Sequence, residues 1–297
     1  SIDGHRACQR YRATNKGLFM RDLKGKVVLV TGGARGLGQE TAVELAANGS
    51  DVAVADRKFE LAQETAERCR AHGVRAQAFA FDQAEATSVE QCVASVVQDF
   101  GHIDGLFANA GTGRFSPLVD MPKKDFDLIL KINLNGTFYV CQEVARQMIR
   151  QGSGGKMVLT ASSGARVIAN QLGAYCASKA AVVNLAKHFA SELGNHRINV
   201  NAICPGVIES GMTGPMLSSE AWRRMLVRET PVGHWGAPKD VAKLVTFLLS
   251  DDAGYINGED IMIDGGSTLG GAPRWYSLDY TKSHETDWEG QNGRYPY

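Results

Sequence analysis

Short apolar runs alternate with longer stretches of helical period along most of the chain. The runs are rich in β-branched residues and predict strands, whereas the stretches place apolar residues three and four apart, which indicates amphipathic helices. The predicted strands cover 26–30, 51–55, 74–80, 103–108, 156–160, 197–202 and 260–263. The predicted helices cover 39–48, 58–71, 88–100, 123–150, 175–193 and 239–249.

This alternation favours an α/β fold: a single doubly wound parallel sheet, Rossmann-like, with helices on both faces. Right-handed crossovers would bring the carboxyl ends of the strands to one edge, where such folds bind nucleotides. Because no linker rich in Pro, Gly or Ser divides the pattern, we expect one domain over residues 23–267.

Two terminal segments fall outside the alternation. Residues 1–22 carry five basic side chains with little apolar periodicity, and residues 268–297 carry six aromatic side chains among polar ones. We interpret them as an N-terminal arm and an aromatic C-terminal arm that pack on this subunit or on a neighbour. A surface strap without a part in catalysis and an arm that shapes the active site both fit this composition.

Composition argues against several classes of partner. The 32 basic residues balance the 32 acidic ones, so no net charge draws the chain to nucleic acid or to an anionic membrane. No apolar run is long enough to span a bilayer, and the N-terminus does not resemble a secretory signal. The six cysteines form no C-x-x-C pair and the seven histidines have no ligand spacing, which predicts reduced thiols, a cytoplasmic location and no metal site.

A glycine-rich turn follows the first predicted strand. It reads TGGARGLG over residues 31–38, and a helix begins there. Glycines at such a junction let the backbone approach a pyrophosphate, whose charge the N-terminus of the helix then faces. The turn therefore predicts a dinucleotide site that includes Gly32, Arg35, Gly36, Leu37 and Gly38.

The end of the second predicted strand bears on which dinucleotide binds. Asp56 follows Gly38 by 18 residues, near the distance at which an acid accepts hydrogen bonds from the adenosine ribose. A carboxylate there repels a 2′-phosphate, whereas Arg35 and Arg57 can attract one. Because repulsion in a partly desolvated pocket excludes more firmly than a mobile arginine attracts, we expect NAD rather than NADP.

Tyr175 and Lys179 form a Y-x-x-x-K pair at the start of a predicted helix. Residues four apart share one helical face, so the ammonium group can lie near the phenol. A nearby cation favours the phenolate, whose ordinary pKa is about 10, and makes it a usable proton acceptor closer to neutrality. Taken alone, the pair also fits an ordinary helical contact.

Together these motifs resemble those of the short-chain dehydrogenase/reductase family. The glycine turn, Asn109-Ala110-Gly111, Asn133, Ser162, the Y-x-x-x-K pair and Pro205-Gly206 follow the family's order over about residues 24–267. The resemblance implies an oxidoreductase that transfers a hydride between NAD(P) and a secondary alcohol or ketone. It also implies a homodimer or homotetramer, paired through helix 123–150 and the helix after Tyr175.

The resemblance further implies roles for individual residues. Tyr175 would be the general acid/base, and Lys179 would depress the pKa of the tyrosine and hold the nicotinamide ribose. Asn133 would hold a proton-relay water, or else only kink its helix. Ser162 would hydrogen-bond the substrate oxygen, although Ser163 is a rival because the glycine of the family's Ser-x-x-Gly comes one residue early here.

Further cofactor contacts follow from the same resemblance. They lie after the third strand, in the Asn-Ala-Gly turn and after the sixth strand, and they comprise Asp82, Asn109, Gly111, Pro205, Gly206, Val207 and Ser210. Asp82 would contact the adenine, and the last two residues would lie against the nicotinamide.

The segment after Gly206 would form a lid over the substrate. Its apolar residues, among them Met212, Trp222 and Met225, fit either core packing or contact with an apolar part of the substrate. The arginines on the same stretch either serve an anionic group or are solvated charges.

Two other functions compete with the alcohol dehydrogenase. A 3-oxoacyl thioester reductase would prefer NADPH, which Asp56 disfavours. A non-catalytic dinucleotide sensor would not need Tyr175 and Lys179, and both are present.

Overall fold

The computed structural model describes residues 23–269. The two arms therefore lie outside the described residues, except that Thr268 and Leu269 close the C-terminal end of the described chain. Thr268 donates a hydrogen bond from its hydroxyl to Asp264 over 2.6 Å, and the N–H of Leu269 donates to the carbonyl of Gly266 over 3.0 Å.

The strands within these residues are β1 (Val27–Thr31), β2 (Asp51–Asp56), β3 (Ala76–Ala80), β4 (Gly105–Ala108), β5 (Gly155–Thr160), β6 (Ile198–Pro205) and β7 (Asp260–Ile263). They form one parallel sheet in the order β3-β2-β1-β4-β5-β6-β7. The order reverses direction between β1 and β4, the switch point at which such sheets leave a crevice for a ligand.

The helices are α1 (Gly36–Ala47), α2 (Phe59–Arg70), α3 (Ala86–Phe100), α4 (Lys123–Leu130), α5 (Thr137–Gln151), α6 (Gly173–Leu193), α7 (Gly214–Leu217), α8 (Glu220–Glu229) and α9 (Pro238–Leu249). Helices α1, α2 and α9 cover one face of the sheet, and α3, α5 and α6 cover the other. The expected doubly wound sheet with helices on both faces is confirmed.

The central strands are apolar on both sides because both faces of the sheet are covered. In β1, Val27 and Leu29 enter the core beneath α3, α5 and α6, while Val28 and Val30 enter the core beneath α1, α2 and α9. All five residues of β1 are buried. This continuous apolar run anchors the glycine turn that follows it.

The long helix predicted for residues 123–150 is not regular. A π-helical segment, Lys131–Gly136, separates α4 from α5. Gly136 is required at its end, because a Cβ there would lie 2.4 Å from the carbonyl oxygen of Gln83. The segment brings Asn133 inward, next to α6.

Strand β6 also differs from the prediction, since it continues to Pro205 rather than ending at 202. It lies between β5 and β7 and pairs with both, and this backbone pairing extends the strand to the carboxyl edge of the sheet. Helices α7 and α8 were not predicted as elements.

Three loops follow the central strands at this edge. We call residues 109–122 the β4 loop, 161–172 the β5 loop and 206–237 the β6 loop. Together with the glycine turn they surround the candidate site.

Candidate active site

The glycine turn is packed too tightly for side chains at two positions. A Cβ on Gly38 would lie 2.1 Å from the carbonyl oxygen of Gly32, and one on Gly32, whose φ is +66°, would lie 2.9 Å from Cα of Ala110. The first turn of α1 therefore sits directly on the strand end. Its N–H groups have no acceptor within the helix, and the positive end of the helix faces the crevice.

The side chain of Asn109 joins this turn to the neighbouring strands. Its Nδ2 donates to the carbonyls of Thr31 and Gly32 over 3.2 and 3.3 Å, and its backbone N–H donates to Oγ1 of Thr31 over 3.0 Å. On the other side, Oγ1 of Thr160 donates to Oδ1 of Asn109 over 3.4 Å. The ends of β1, β4 and β5 are thereby held at fixed separations.

Asp56 closes the glycine turn from the end of β2. Its carboxylate accepts the N–H of Ala34 over 3.1 Å and that of Lys58 over 2.9 Å. Arg35 and Arg57 are exposed, and the guanidinium of Arg35 lies 3.7 Å from the position of a Cβ on Gly211 in the β6 loop. The acid thus lies beside the turn, as the sequence suggested, and Arg35 approaches the opposite wall of the crevice.

Asp82 lies where the sequence placed it, after β3, but it is exposed and its Oδ1 accepts the N–H of Ala84 over 2.9 Å. The buried neighbour Gln83, which the motifs did not point to, has more contacts. Its Nε2 donates over 3.0 Å to the carbonyls of Ala110 and Ile132. Gln83 therefore connects the Asn-Ala-Gly turn to the π-helical segment, a role that no local pattern signals.

Tyr175, Ser162 and Lys179 meet at the start of α6. The hydroxyl of Ser162 is hydrogen-bonded to Tyr175, and Oγ of Ser162 accepts the N–H of Gly164 over 3.1 Å. Nζ of Lys179 donates to the carbonyl of Thr160 over 2.7 Å and lies 5.8 Å from the centroid of the tyrosine ring. It is Ser162, rather than Ser163, that contacts the tyrosine.

Burial dominates the electrostatics of this pair. It raises the pKa of Tyr175 above its ordinary value, and the hydrogen bond from Ser162 opposes that shift. Burial also lowers the pKa of Lys179 to about 8. The sequence argument expected the lysine to bring the phenol's pKa towards neutrality, but burial raises that pKa, and Lys179 is not among the groups that shift it. Tyr175 therefore holds its proton at neutral pH.

Asn133 is fully buried and its side chain is committed to protein groups. Its Oδ1 accepts the N–H of Thr112 over 2.8 Å, while its Nδ2 donates to the carbonyl of Thr112 and to Oγ of Ser178 over 2.8 and 3.0 Å. These bonds leave a relay water only the second lone pair of Oδ1 on this side chain. The observed contacts instead fix the β4 loop against α6.

Two glycines of the β4 loop lie against Tyr175 and Lys179. A Cβ on Gly111 would lie 3.4 Å from Nζ of Lys179, and one on Gly113 would lie 3.3 Å from Cδ2 of Tyr175. The same point on Gly113 is 3.7 Å from Cε of Met212, so the β6 loop reaches across to the tyrosine.

The remaining predicted contacts line the wall beyond β6. A Cβ on Gly206, which follows Pro205, would lie 2.7 Å from Cβ of Asp264, and the carbonyl of Val207 accepts the N–H of Gly236 over 3.0 Å. Cβ of Ser210 lies 4.0 Å from the position of a Cβ on Gly36. Leu37 packs against the core at the start of α1. The glycine turn and the β6 loop therefore face each other across the crevice.

Comparison with known proteins identifies the family. The family model described as enoyl-(acyl carrier protein) reductase matches residues 32–268. A crystal structure of a short-chain type dehydrogenase/reductase from Mycobacterium marinum matches with a TM-score of 0.81 and 34% identity, over 84% of this chain and 98% of that one. The chain belongs to the short-chain dehydrogenase/reductase family.

Curated members of the family are similar over the same region. An L-rhamnose 1-dehydrogenase (NAD(P)(+)) of Sphingomonas is 36% identical, over 83% of this chain and 98% of the relative. A D-threitol dehydrogenase of Mycolicibacterium smegmatis is 39% identical, over 83% and 94%. A 3-oxoacyl-(acyl-carrier-protein) reductase of Thermotoga maritima is 35% identical, over 83% and 99%. This short-chain dehydrogenase/reductase is an NAD(P)-dependent oxidoreductase that acts on CH–OH groups.

The crevice fits a nicotinamide dinucleotide. Gly36, whose Cβ position has Cβ of Ser210 at 4.0 Å as its nearest neighbour, leaves room for close approach of a phosphate to the backbone. Helix α1 directs its N-terminus there, and Asp56 lies at the strand end beside the turn. Among residues 23–269, no cluster of three or more His, Cys, Asp or Glu side chains could hold a metal ion. None of the helices in that range is both long and apolar enough to cross a bilayer.

The close approach at Gly38 is testable. Gly38→Ala forces a Cβ against the carbonyl of Gly32, so the turn must open and we expect the affinity for NAD and NADP to fall about tenfold or more. Gly194→Ala is the matched control, because no atom lies within 4 Å of its Cβ position. Fluorescence titration measures both dissociation constants, and an unchanged value in the Gly38 variant would contradict the tight turn.

Proposed function

We propose that this enzyme interconverts a secondary alcohol and a ketone with NAD, using Tyr175 as the proton-transfer group. The observation that supports this most directly is the hydrogen bond between Ser162 and Tyr175 above the buried ammonium of Lys179. Bound NAD(H) accepts or supplies the hydride. Tyr175 gives its proton to the carbonyl oxygen in reduction and takes it back in oxidation.

The neighbouring residues would assist in different ways. Ser162 hydrogen-bonds the substrate oxygen beside the phenol and so orients the carbonyl. Lys179, held by the carbonyl of Thr160, stabilises the phenolate when the proton leaves and holds the nicotinamide ribose. Asn133 acts through Thr112 and Ser178, so we propose that it positions the β4 loop and α6 rather than touching substrate.

Preference for NAD rests on Asp56. Its carboxylate lies beside the glycine turn, where it can accept hydrogen bonds from the ribose and repel a 2′-phosphate. Arg35 and Arg57 are the opposing groups. The remaining predicted contacts, Asp82, Asn109, Gly111, Val207 and Ser210, would complete the site along the crevice.

We also propose an oligomeric state and a cellular location for the enzyme. Residues 23–267 would form one catalytic domain that pairs into a homodimer or homotetramer through α4, α5 and α6, where Leu128, Phe138 and Ile149 are exposed. Light scattering would distinguish these assemblies from a monomer of 32.0 kDa. A cytoplasmic location is supported by the five free cysteines among residues 23–269.

A 3-oxoacyl thioester reductase is the second candidate, favoured by the similarity to the reductase of Thermotoga maritima. Asp56 disfavours the NADPH that such an enzyme would prefer. A dinucleotide sensor would have no use for a serine hydrogen-bonded to a tyrosine that lies one helical turn from a buried lysine.

Tyr175→Phe tests the acid/base role. The ring remains but the proton is lost, so we expect turnover to fall about 10²–10⁴-fold while cofactor affinity stays within a factor of two. Ser162→Ala should also lose turnover, whereas Ser163→Ala is the matched control and should not, because Ser163 does not contact the tyrosine. Steady-state kinetics and cofactor titration measure the two effects. Wild-type rates in the Phe variant would disprove the assignment.

The pH dependence should differ between the two directions. Because the pKa of Tyr175 is raised, reduction, which needs the protonated phenol, should be insensitive to pH near neutrality and fall only in alkali. Oxidation needs the phenolate, so its kcat/KM should rise with pH by up to about tenfold per unit. Initial rates in both directions between about pH 6 and 10 measure this, with apparent values that belong to the Tyr–Lys pair. A flat oxidation profile would contradict it.

Asp56→Asn tests the cofactor preference. Loss of the negative charge removes the repulsion of a 2′-phosphate, so the ratio of kcat/KM for NADP to that for NAD should rise about tenfold. Asp82→Asn is the control and should weaken both cofactors equally. The NAD preference would be refuted by a wild-type enzyme that already favours NADP.

A further inference from the structure

Exposed apolar side chains are concentrated around the site. Ten of the fifteen large apolar residues that are exposed among residues 23–269 lie on the β4, β5 and β6 loops, although these loops make up less than a quarter of that range. They include Phe115, Leu118, Ile168, Met212, Trp222 and Met225, which are 38–91% exposed. Apolar surface gathered in this way marks a place where a ligand or partner binds.

A cavity of about 640 Å³ lies between the β4 loop, the β5 loop and the first turns of α6. Leu118, Val167 and Ile168 are among its apolar walls, and Gly164 and Cys176, the neighbours of Ser162 and Tyr175, form its inner side. Ligand pockets usually enclose about 300–1,000 Å³ and are mainly apolar. The cavity has the size of a substrate subsite, and it borders the site through the chain neighbours of Ser162 and Tyr175 rather than through those two residues themselves.

The β6 loop adds an apolar wall on the other side of the tyrosine. Met212 is 45% exposed, and its Cε and the ring of Tyr175 both lie within 4 Å of the same point on Gly113. On α8, Leu226 is buried and packs as a core residue, but Trp222 and Met225 remain 44% and 38% exposed. Core packing, one of the two sequence interpretations of these residues, does not account for Met212, Trp222 and Met225.

The charges on the three loops are largely neutralised. Of their five arginines, four are paired with carboxylates. The pairs are Arg114–Asp125 at 3.3 Å, Arg166–Asp260 at 2.7 Å, Arg224–Glu220 at 2.6 Å and Arg228–Glu229 at 3.1 Å. A sugar acid or a phosphate-bearing carrier would have to compete with these carboxylates for the guanidinium groups.

We propose that the substrate is an uncharged secondary alcohol or ketone whose reacting carbon carries an apolar body, a ring or a hydrocarbon chain, rather than a polyol or a sugar acid. This rests on the proposed function and names its substrate class. In oxidation the C–H bond of the alcohol would break with its electron pair leaving as hydride for oxidised NAD, the hydroxyl proton would pass to the phenolate of Tyr175, and the C=O bond would form. The apolar body lies against Ile168 and Met212 and is removed from water there.

Two pairs of compounds with equal carbon skeletons test the proposal. With NAD and the wild-type enzyme, kcat/KM for cyclohexanol should exceed that for myo-inositol, and the value for 2-pentanol should exceed that for xylitol, each by at least about tenfold. Higher values for the polyols would overturn the proposal. If the polyols were the better substrates and Tyr175→Phe were inactive on them, only the proposed substrate class would be wrong and the proposed function would stand. Wild-type rates in the Tyr175→Phe variant would overturn the proposed function itself.

Polar substitutions locate the contact. Ile168→Gln and Met212→Gln should raise KM for cyclohexanol about three- to tenfold with little change in kcat, since one or two apolar contacts are lost. Tyr255→Gln is the control, because Tyr255 is fully exposed in the turn before β7, at the opposite edge of the sheet. Equal effects in all three variants would overturn the proposal. The proposal would also be overturned if the Ile168 and Met212 substitutions changed the mass measured by light scattering and left KM unaltered. The exposed apolar side chains would then be a contact between copies of the chain.

Discussion

The amide of Asn109 joins the carboxyl ends of β1, β4 and β5, and both halves of the site depend on that connection. Through Thr31 and Gly32 it fixes the glycine turn that faces the dinucleotide. Through Thr160 it fixes the strand end whose carbonyl holds Lys179. Because buried amides bond only in a narrow range of geometry, a small shift of one strand end would be felt at the other. The distance between the glycine turn and Lys179 is thereby set by the sheet itself.

Burying the ammonium group of Lys179 in this arrangement costs free energy. Removing a charge from water is unfavourable unless hydrogen bonds replace hydration, and burial accordingly lowers the pKa of Lys179 to about 8. The carbonyl of Thr160 supplies one replacement. The same desolvation raises the pKa of Tyr175, so the protein alone favours the protonated phenol and the charged amine at neutral pH. This is the state from which a carbonyl can be reduced without prior proton uptake.

Much of the fold and of the candidate site could be predicted from local patterns in the sequence. The short apolar runs predicted six of the strands to within two residues at each end, and the glycine turn and Y-x-x-x-K pair identified groups that do meet. The failures concern contacts between distant parts of the chain. Gln83 binds Ala110 and Ile132, far away in sequence, and Asn133 turns inward because the helix widens at Lys131–Gly136. Gln83 carries no local signal, and Asn133 was singled out only by the family resemblance, since the partners of both are brought together only by the finished sheet.

The two sides of the site are stabilised by different means, and this explains why apolar residues can remain exposed on one of them. The cofactor side consists of strand ends and the first turn of α1, packed at van der Waals contact. The substrate side consists of loops held mainly by hydrogen bonds and ion pairs. The N–H of Ser116 donates to the carbonyl of Gln171 over 2.8 Å, and Arg166 anchors the β5 loop to Asp260 at the start of β7. Gln171 has a φ of +66°, a strained value for a residue with a side chain. The hydrogen bonds of the loop must maintain this conformation. These hydrogen bonds and ion pairs hold the loops while side chains such as Ile168 and Met212 remain exposed beside the site.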